Sequence, residues 1–253
     1  MTKSLTGKVA LVTGGSRGIG AASARALAED GANVAISYVA SADKAEAVVN
    51  ELKAKGVQAR AFKADQASST EVDQLVKDVA NHFGRLDILV NNAGIYPPGG
   101  TLAIDGETFD RIMAVNVKAP YFLTAALVPA MAEVGRGVVL NLGSWGARLG
   151  IPAGTAYASS KGAIETLTRA WAAEFGPQGV RVNAISPGVT FDSASPVAEI
   201  AGPMMATTPL GRLVTPDAIA RAAVFLASDD ATDVHGTVLD VDGGRSSVLF
   251  AAR

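Results

Sequence analysis

The chain has 253 residues, 49% of them hydrophobic and 18% charged, with a formal net charge of -2 and a pI near 5.7. That length suits one α/β domain burying roughly three quarters of its unfolded surface, and so small a charge gives no electrostatic reason to expect a nucleic-acid or anionic-membrane partner. The lack of cysteine excludes disulfides, thiolate catalysis and zinc–sulfur sites. His82 and His235 stand far apart and suggest no metal cluster. The opening "MTKSLTGKVALVTGG" lacks the apolar core and small-residue cleavage site of a signal peptide. No apolar run approaches the roughly 20 residues of a membrane span, so a cytoplasmic protein is expected.

In chain order, "KVALVT" (8–13) reads as a buried strand, continuous rather than alternating in its apolar residues. It runs through "TGGSRGIG" (13–20) into a helix over 19–29, closed by Gly31 as its C′ glycine. Strand "NVAISY" (33–38), a helix over 42–55, strand "VQARAF" (57–62) and a helix over 69–82 follow. Then come "LDILVN" (86–91), a long helix over 107–132, "GVVLNL" (137–142), a helix over 156–175 and "VRVNAI" (180–185). Segment 188–214, rich in Gly, Pro, Ser and Thr, is too long for an ordinary connection and reads as a substrate loop. The last helix, over 215–227, opens on Thr215 as N-cap with Pro216 at its first position, and "TVLDVD" (237–242) is the final strand. This rhythm predicts an α/β fold over residues 1–253: a doubly wound, seven-stranded parallel sheet with helices on both faces.

Gly14, Gly18 and Gly20 permit a tight turn and a close approach of backbone to a ligand. The helix that starts there aims free N–H groups at a pyrophosphate. Glycines kept for packing alone are the alternative, but strand–turn–helix is the context a dinucleotide site requires. A site preferring NAD places an acid at the end of the second strand, on the ribose 2′-hydroxyl. Here that end carries Ser37, Tyr38 and Ser41, with no acid before Asp43, while Arg17 in the turn offers a guanidinium to a 2′-phosphate. Both features point to NADP(H). Further on, "AYASSKGA" (156–163) sets Tyr157 and Lys161 four apart, one above the other on a helix face. Such a pair is either a surface accident or an acid whose phenol is drawn toward the phenolate by the ammonium.

From Lys8 to about Gly244 these motifs resemble the short-chain dehydrogenase/reductase family, whose members are single-domain Rossmann folds. "TGGSRGIG" is similar to the family's cofactor turn, which brings Ser16 and Ile19 to the dinucleotide with the glycines. Asp65 matches the acid that contacts adenine, with Gln66 beside it, and "NNAG" supplies Asn92, Ala93 and Gly94. "SPG" (186–188) matches the turn that packs on the nicotinamide, giving Pro187, Gly188, Val189 and Thr190. "YASSK" matches the catalytic Tyr-x-x-x-Lys, and Ser144 and Asn116 complete a tetrad. The resemblance implies that Tyr157 donates a proton to a carbonyl oxygen that Ser144 holds. Lys161 would hold the nicotinamide ribose, and Asn116 would stabilise a helix kink and a proton-relaying water. No metal is implied.

Within the family the chain looks most like 3-oxoacyl-(acyl-carrier-protein) reductases and related NADPH-dependent ketoreductases. Enzymes that dock acyl carrier protein present basic residues beside the active site. Here Glu133 and Ala173 stand at or near such positions, although Arg136 and Arg169 remain. Residues 188–205 lack the usual Thr-x-x-acid pattern and are small and apolar. The expected activity is therefore reversible reduction of a free ketone or β-keto ester to a secondary alcohol. Carrier-bound 3-oxoacyl chains, with acyl carrier protein as partner, come second. An NADPH-binding sensor or scaffold without turnover is a third reading, against which the complete tetrad argues. Trp145 and Tyr96 are candidates for the substrate pocket, with packing an equal explanation. His235 reads as a loop histidine, and Arg212 is given no role. The family implies a homotetramer, and "IETLTRAWAAEF" (164–175) and the tail "SSVLFAAR" fit an interface as well as they fit a core.

Overall fold

In a computed structural model describing residues 4–150, 154–191 and 202–249, all seven expected runs are strands. They are β1 (Val9–Val12), β2 (Asn33–Tyr38), β3 (Ala59–Lys63), β4 (Ile88–Asn91), β5 (Gly137–Leu142), β6 (Val180–Pro187) and β7 (Val238–Val241). They form one parallel sheet in the order β3-β2-β1-β4-β5-β6-β7. The continuous apolar runs follow from burial of both sheet faces. Ala10, Val12, Ile88, Val90, Val138 and Leu140 point into one layer, while Leu11, Leu89 and Val139, between them in sequence, point into the other.

The first layer is covered by α1 (Gly18–Glu29), α2 (Ala42–Lys53) and α7 (Pro216–Ala227), through Leu27, Val48, Leu52, Ile219 and Leu226. The second is covered by α3 (Ser69–Phe83), α5 (Ala119–Glu133) and α6 (Thr155–Phe175), through Leu75, Val79, Leu123, Leu127 and Trp171. Thr215 caps α7 by accepting from Ala218 N–H at 3.3 Å, as its sequence predicts. Strand order reverses between β1 and β4, so their carboxyl ends open the crevice in which such sheets bind ligands.

The single helix expected over 107–132 is interrupted. After α4 (Gly106–Met113) comes a π-helical turn, Ala114–Lys118, before α5 begins. Pro120 has no N–H to give the Asn116 carbonyl, and its ring would crowd that carbonyl in a regular α-helix, so the ladder widens. This rod also corrects the expectation of no membrane-length apolar segment: Gly106–Glu133, 28 residues, is long and apolar enough by composition. Its apolar side is already occupied by the sheet, through Ile112, Leu123, Leu127 and Met131.

A buried polar seam ties the second layer to the sheet. Asn91 on β4 donates to Asn141 Oδ1 on β5 at 2.9 Å, and Asn141 donates to Thr168 Oγ1 on α6 at 2.9 Å. Both contacts are shut off from water, so removing Asn141 takes from the Asn91 amide its best-placed acceptor and leaves it only Thr124 Oγ1 at 3.4 Å. Asn141→Ala is expected to destabilise the protein by about 1–3 kcal/mol. The urea midpoint would fall while the slope of the transition stays constant.

Candidate active site

Helix α6 begins at Gly154, whose φ of 83° is left-handed. A Cβ there would stand 2.5 Å from the Tyr96 ring, so glycine serves both the turn and the aromatic seated on it. Tyr96 meets Tyr157 edge-on, with ring centroids 4.8 Å apart. One turn later Lys161 enters the interior with 5% of its surface exposed, donating to the Leu142 carbonyl at 2.7 Å. Its Nζ lies 5.7 Å from the Tyr157 ring centroid. Ser144, just beyond β5, caps the short 3-10 turn Trp145–Ala147 by accepting from Gly146 N–H at 3.2 Å.

Asn116, on the π turn, accepts from Ile95 N–H at 2.9 Å and donates to the Ile95 carbonyl at 3.1 Å. It also donates to Ser160 Oγ at 3.0 Å, and that hydroxyl donates to the Tyr157 carbonyl at 2.7 Å. The widened turn thus reaches both the segment after β4 and the helix carrying Tyr157. The structure brings Asn116, Ser144, Tyr157 and Lys161 together from three separate segments.

One electrostatic expectation is corrected. Burial pushes the Tyr157 phenol above its usual range; the facing Ser144 hydroxyl pulls it partly back and Tyr96 adds to the rise. Lys161 does not overcome this burial in the protein alone, because desolvation draws its own pKa down from 10.5 to about 8, against the opposing pull of Glu165. At neutral pH the pair is a phenol and an ammonium.

On the other side of the crevice the glycine turn is held from beneath. Thr13 Oγ1 accepts from the main-chain N–H groups of Asn92 at 3.0 Å and Ala93 at 2.9 Å. Asn92 Nδ2 donates back to the Thr13 carbonyl at 2.7 Å and the Gly14 carbonyl at 3.2 Å. A Cβ on Gly20 would fall 2.3 Å from the Gly14 carbonyl oxygen, so the turn closes only over glycine. The first turn of α1 has no side-chain cap and no acid. With Ser16, Gly18 and Ile19 opening that helix and Arg17 exposed at its N-cap, the residues fit a diphosphate and a further phosphate beyond it.

Some expected ligands do other work. Ser37 is buried and accepts from Gly14 N–H at 3.2 Å, supporting the turn instead of facing a ribose. Tyr38 and Ser41 remain partly exposed at the end of β2. Asp65 accepts from Ala67 N–H at 2.9 Å and pairs with Arg111 at 3.1 Å, both of which hold its carboxyl below the usual range. The buried side chain of Gln66 lines a separate cavity with Val72, Lys118 and Phe122. Thr190 donates to the Gly188 carbonyl at 2.9 Å, and Gly188 is required by the Asp242 backbone, 2.7 Å from where a Cβ would lie.

A cavity of about 470 Å³ joins the two halves, with Asn92, Gly94, Ser144, Tyr157, Lys161, Pro187 and Val189 on its walls. Tyr96 and Trp145 line it too. The sequence reading missed Ile95, Phe191 and Met204 among its apolar walls. Phe191 could have been found as the one aromatic residue in 188–214. Residues 192–201 of the expected substrate loop lie outside the described residues. Arg245 stacks over the Trp145 ring at 4.2 Å and donates to the Met204 carbonyl at 2.5 Å, bracing that wall from behind. His235 contacts the Ala172 carbonyl at 2.7 Å, as a packing histidine, and Arg212 is exposed outside this cavity.

A family model described as enoyl-(acyl carrier protein) reductase matches residues 14–246. The 3-oxoacyl-(acyl-carrier-protein) reductase of Staphylococcus epidermidis is 38% identical over 239 residues, covering 94% of this chain and 98% of its own. A blue fluorescent protein from a metagenomic library, solved in complex with NADPH, is 40% identical, with a TM-score of 0.91 over 97% of this chain and 100% of its own. A short-chain dehydrogenase from Burkholderia cenocepacia, solved with NADP, is 38% identical, with a TM-score of 0.91 over 96% of this chain and 100% of its own.

Because the Lys161 pKa in the folded protein, about 8, lies below the 10.5 of the open chain, the unfolded state binds the extra proton between those values. Folding stability from this residue is lowest below pH 8 and rises with pH through that window. The stability of the parent relative to Lys161→Met is therefore expected to rise from pH 7 to pH 10, whatever the offset from lost packing and pairing. Paired urea titrations at the two pH values measure the difference.

Proposed function

The chain belongs to the short-chain dehydrogenase/reductase family, and on that premise we propose that it is an NADPH-dependent reductase of uncharged ketones or β-keto esters. The observation that carries this reading is a neutral, half-buried phenol and a serine hydroxyl at the wall of an apolar cavity, with a buried ammonium one turn behind the phenol. NADPH, when bound, supplies hydride to the carbonyl carbon. The glycine turn and the N-terminus of α1 hold its diphosphate, Arg17 with Tyr38 and Ser41 receives the 2′-phosphate, and Lys161 has N–H groups left for the nicotinamide ribose.

The substrate oxygen lies between Ser144 and Tyr157. Ser144 fixes it, and Tyr157 releases its proton as negative charge develops on that oxygen. The phenolate left behind is stabilised by Lys161, which is protonated below about pH 8. Alcohol oxidation runs the same proton path in reverse. Tyr96, Trp145, Ile95, Phe191 and Met204 exclude water around the carbon skeleton. Among the described residues Lys161 is the one charged side chain on the walls, which favours an uncharged substrate.

Carrier-bound 3-oxoacyl chains are the second reading, supported by the identity with the staphylococcal reductase. Against it, the groove between α5 and α6 is rimmed by Glu133 and Glu174, which repel an acidic carrier. The exposed Tyr121 and Phe122 beside Trp171 support assembly into a homotetramer through the same helices.

Tyr157→Phe removes the acid and leaves the cofactor site intact. It is expected to bind NADPH normally and lose about 10²–10⁴-fold in kcat; equal turnover by both proteins would overturn the catalytic assignment. In the parent, kcat/KM for ethyl acetoacetate or a small aryl ketone should exceed that for an acetoacetyl carrier thioester. The opposite order would return the protein to fatty-acid elongation. Arg17→Ala is expected to weaken NADPH binding about tenfold and NADH binding hardly at all, as read by cofactor fluorescence titration.

A further inference from the structure

Glu165 stands one turn beyond Lys161 on α6 and is buried, 4% exposed, yet no step above uses it. Its Oε2 lies 3.5 Å from Arg148 Nε, and its Oε1 has no hydrogen-bond partner. The Ser144 main-chain N–H faces the carboxylate as a loose contact. Gly143, next to Ser144, leaves room for it: a Cβ there would lie 2.9 Å from Glu165 Oε1. Arg148 closes the arrangement by pairing with Asp240 on β7 and donating to Ser186 Oγ at 2.9 Å. Ser186 leads directly into Pro187–Gly188, so one guanidinium joins the catalytic serine's loop, α6 and the ends of β6 and β7.

An apolar residue would fill this space at less desolvation cost than a carboxylate. We propose that Glu165 is a positioning residue: its buried negative charge balances the Lys161 ammonium and steadies the Ser144 main chain, and Arg148 keeps that carboxylate ionised. Burial pushes the Glu165 carboxyl up, and Arg148 offers the largest opposing pull. Asp240 adds to the rise, and Arg169, one turn further along α6, opposes it. Glu165 in turn is the group that raises Lys161 against its own desolvation. Leu142 and Gly143 beside the pair are uncharged, and the Tyr157 ring, 5.7 Å from Lys161 Nζ, carries a phenol that burial keeps protonated. The carboxylate therefore acts on the proton affinity of Lys161 without touching substrate.

What this positioning serves rests on the carbonyl-reduction reading, so the test includes a measurement that needs no turnover. Protein labelled at lysine Cε is titrated by carbon NMR, with the Lys161 resonance identified by its loss in Lys161→Met. Glu165→Gln keeps the volume and the hydrogen-bonding oxygen while removing the charge. Its Lys161 is expected to titrate about one pH unit lower, a tenfold fall in proton affinity. The alkaline limb of kcat for ketone reduction should move down with it, while NADPH affinity changes less than twofold. Loss of activity with an unmoved Lys161 titration would mean a purely structural role and would overturn the proposal, as would no change in either. Should Glu165→Gln fail to fold, Glu165→Met, which removes the charge and suits the apolar surroundings, is expected to shift Lys161 the same way; no shift overturns the proposal. A parent that reduces no ketone refutes the functional reading, while the NMR titration still decides the role of Glu165.

Discussion

A lysine ammonium carried into a protein interior is the constraint around which this molecule is arranged. Without a compensating partner such a charge costs several kcal/mol. Here it is met by the Leu142 carbonyl at 2.7 Å and, one turn away, by Glu165. Both depend on α6 lying in one rotation and one register against β5. The helix is held so by the Asn91–Asn141–Thr168 seam at its middle and by the Ser160–Asn116 contact near its start. The helix also sets the Tyr157 phenol where burial keeps its proton on, so the fold stores a neutral acid and a cation side by side.

Polar side chains across the crevice act mainly on the backbone. Thr13, Ser37 and Asn92 hold the main-chain groups of the glycine turn and of the strand end facing it. That leaves the uncapped start of α1, with its oriented N–H groups, as the surface offered to a ligand. A site built from main chain needs rigid support, and these short hydrogen bonds supply it. Substituting such a residue would act on ligand affinity through geometry, without loss of a direct contact.

The substrate wall follows a different logic. Tyr96, Trp145, Phe191 and Met204 come from three connections at the carboxyl edge of the sheet, and Arg245 braces two of them. Loops there can change without disturbing the layers below. The chemistry is set by the rigid edge of β5 and α6, and the shape of the cavity by segments whose Trp145 and Phe191 lie over the core at that edge.

The sequence by itself determined the layers and the reaction class. Seven continuous apolar runs admit only a sheet covered on both faces, and Ser144, Tyr157, Lys161 and the glycine turn carry a motif whose chemistry is local to a few residues. It could not show that Pro120 and Asn116 open a π turn, because the cost of widening a helix is repaid only by contacts with Ile95 and Ser160, 21 and 44 residues away. Nor could it tell that Ser37 supports the glycine turn and Gln66 lines a separate cavity while Phe191 and Met204 turn toward the central one, since side-chain direction depends on neighbours across the sheet. The sense of the Tyr157 shift was decided by tertiary structure for the same reason. Spacing along α6 shows the nearby charge, but only packing fixes how much water is lost, and at this site the loss of water outweighs the charge.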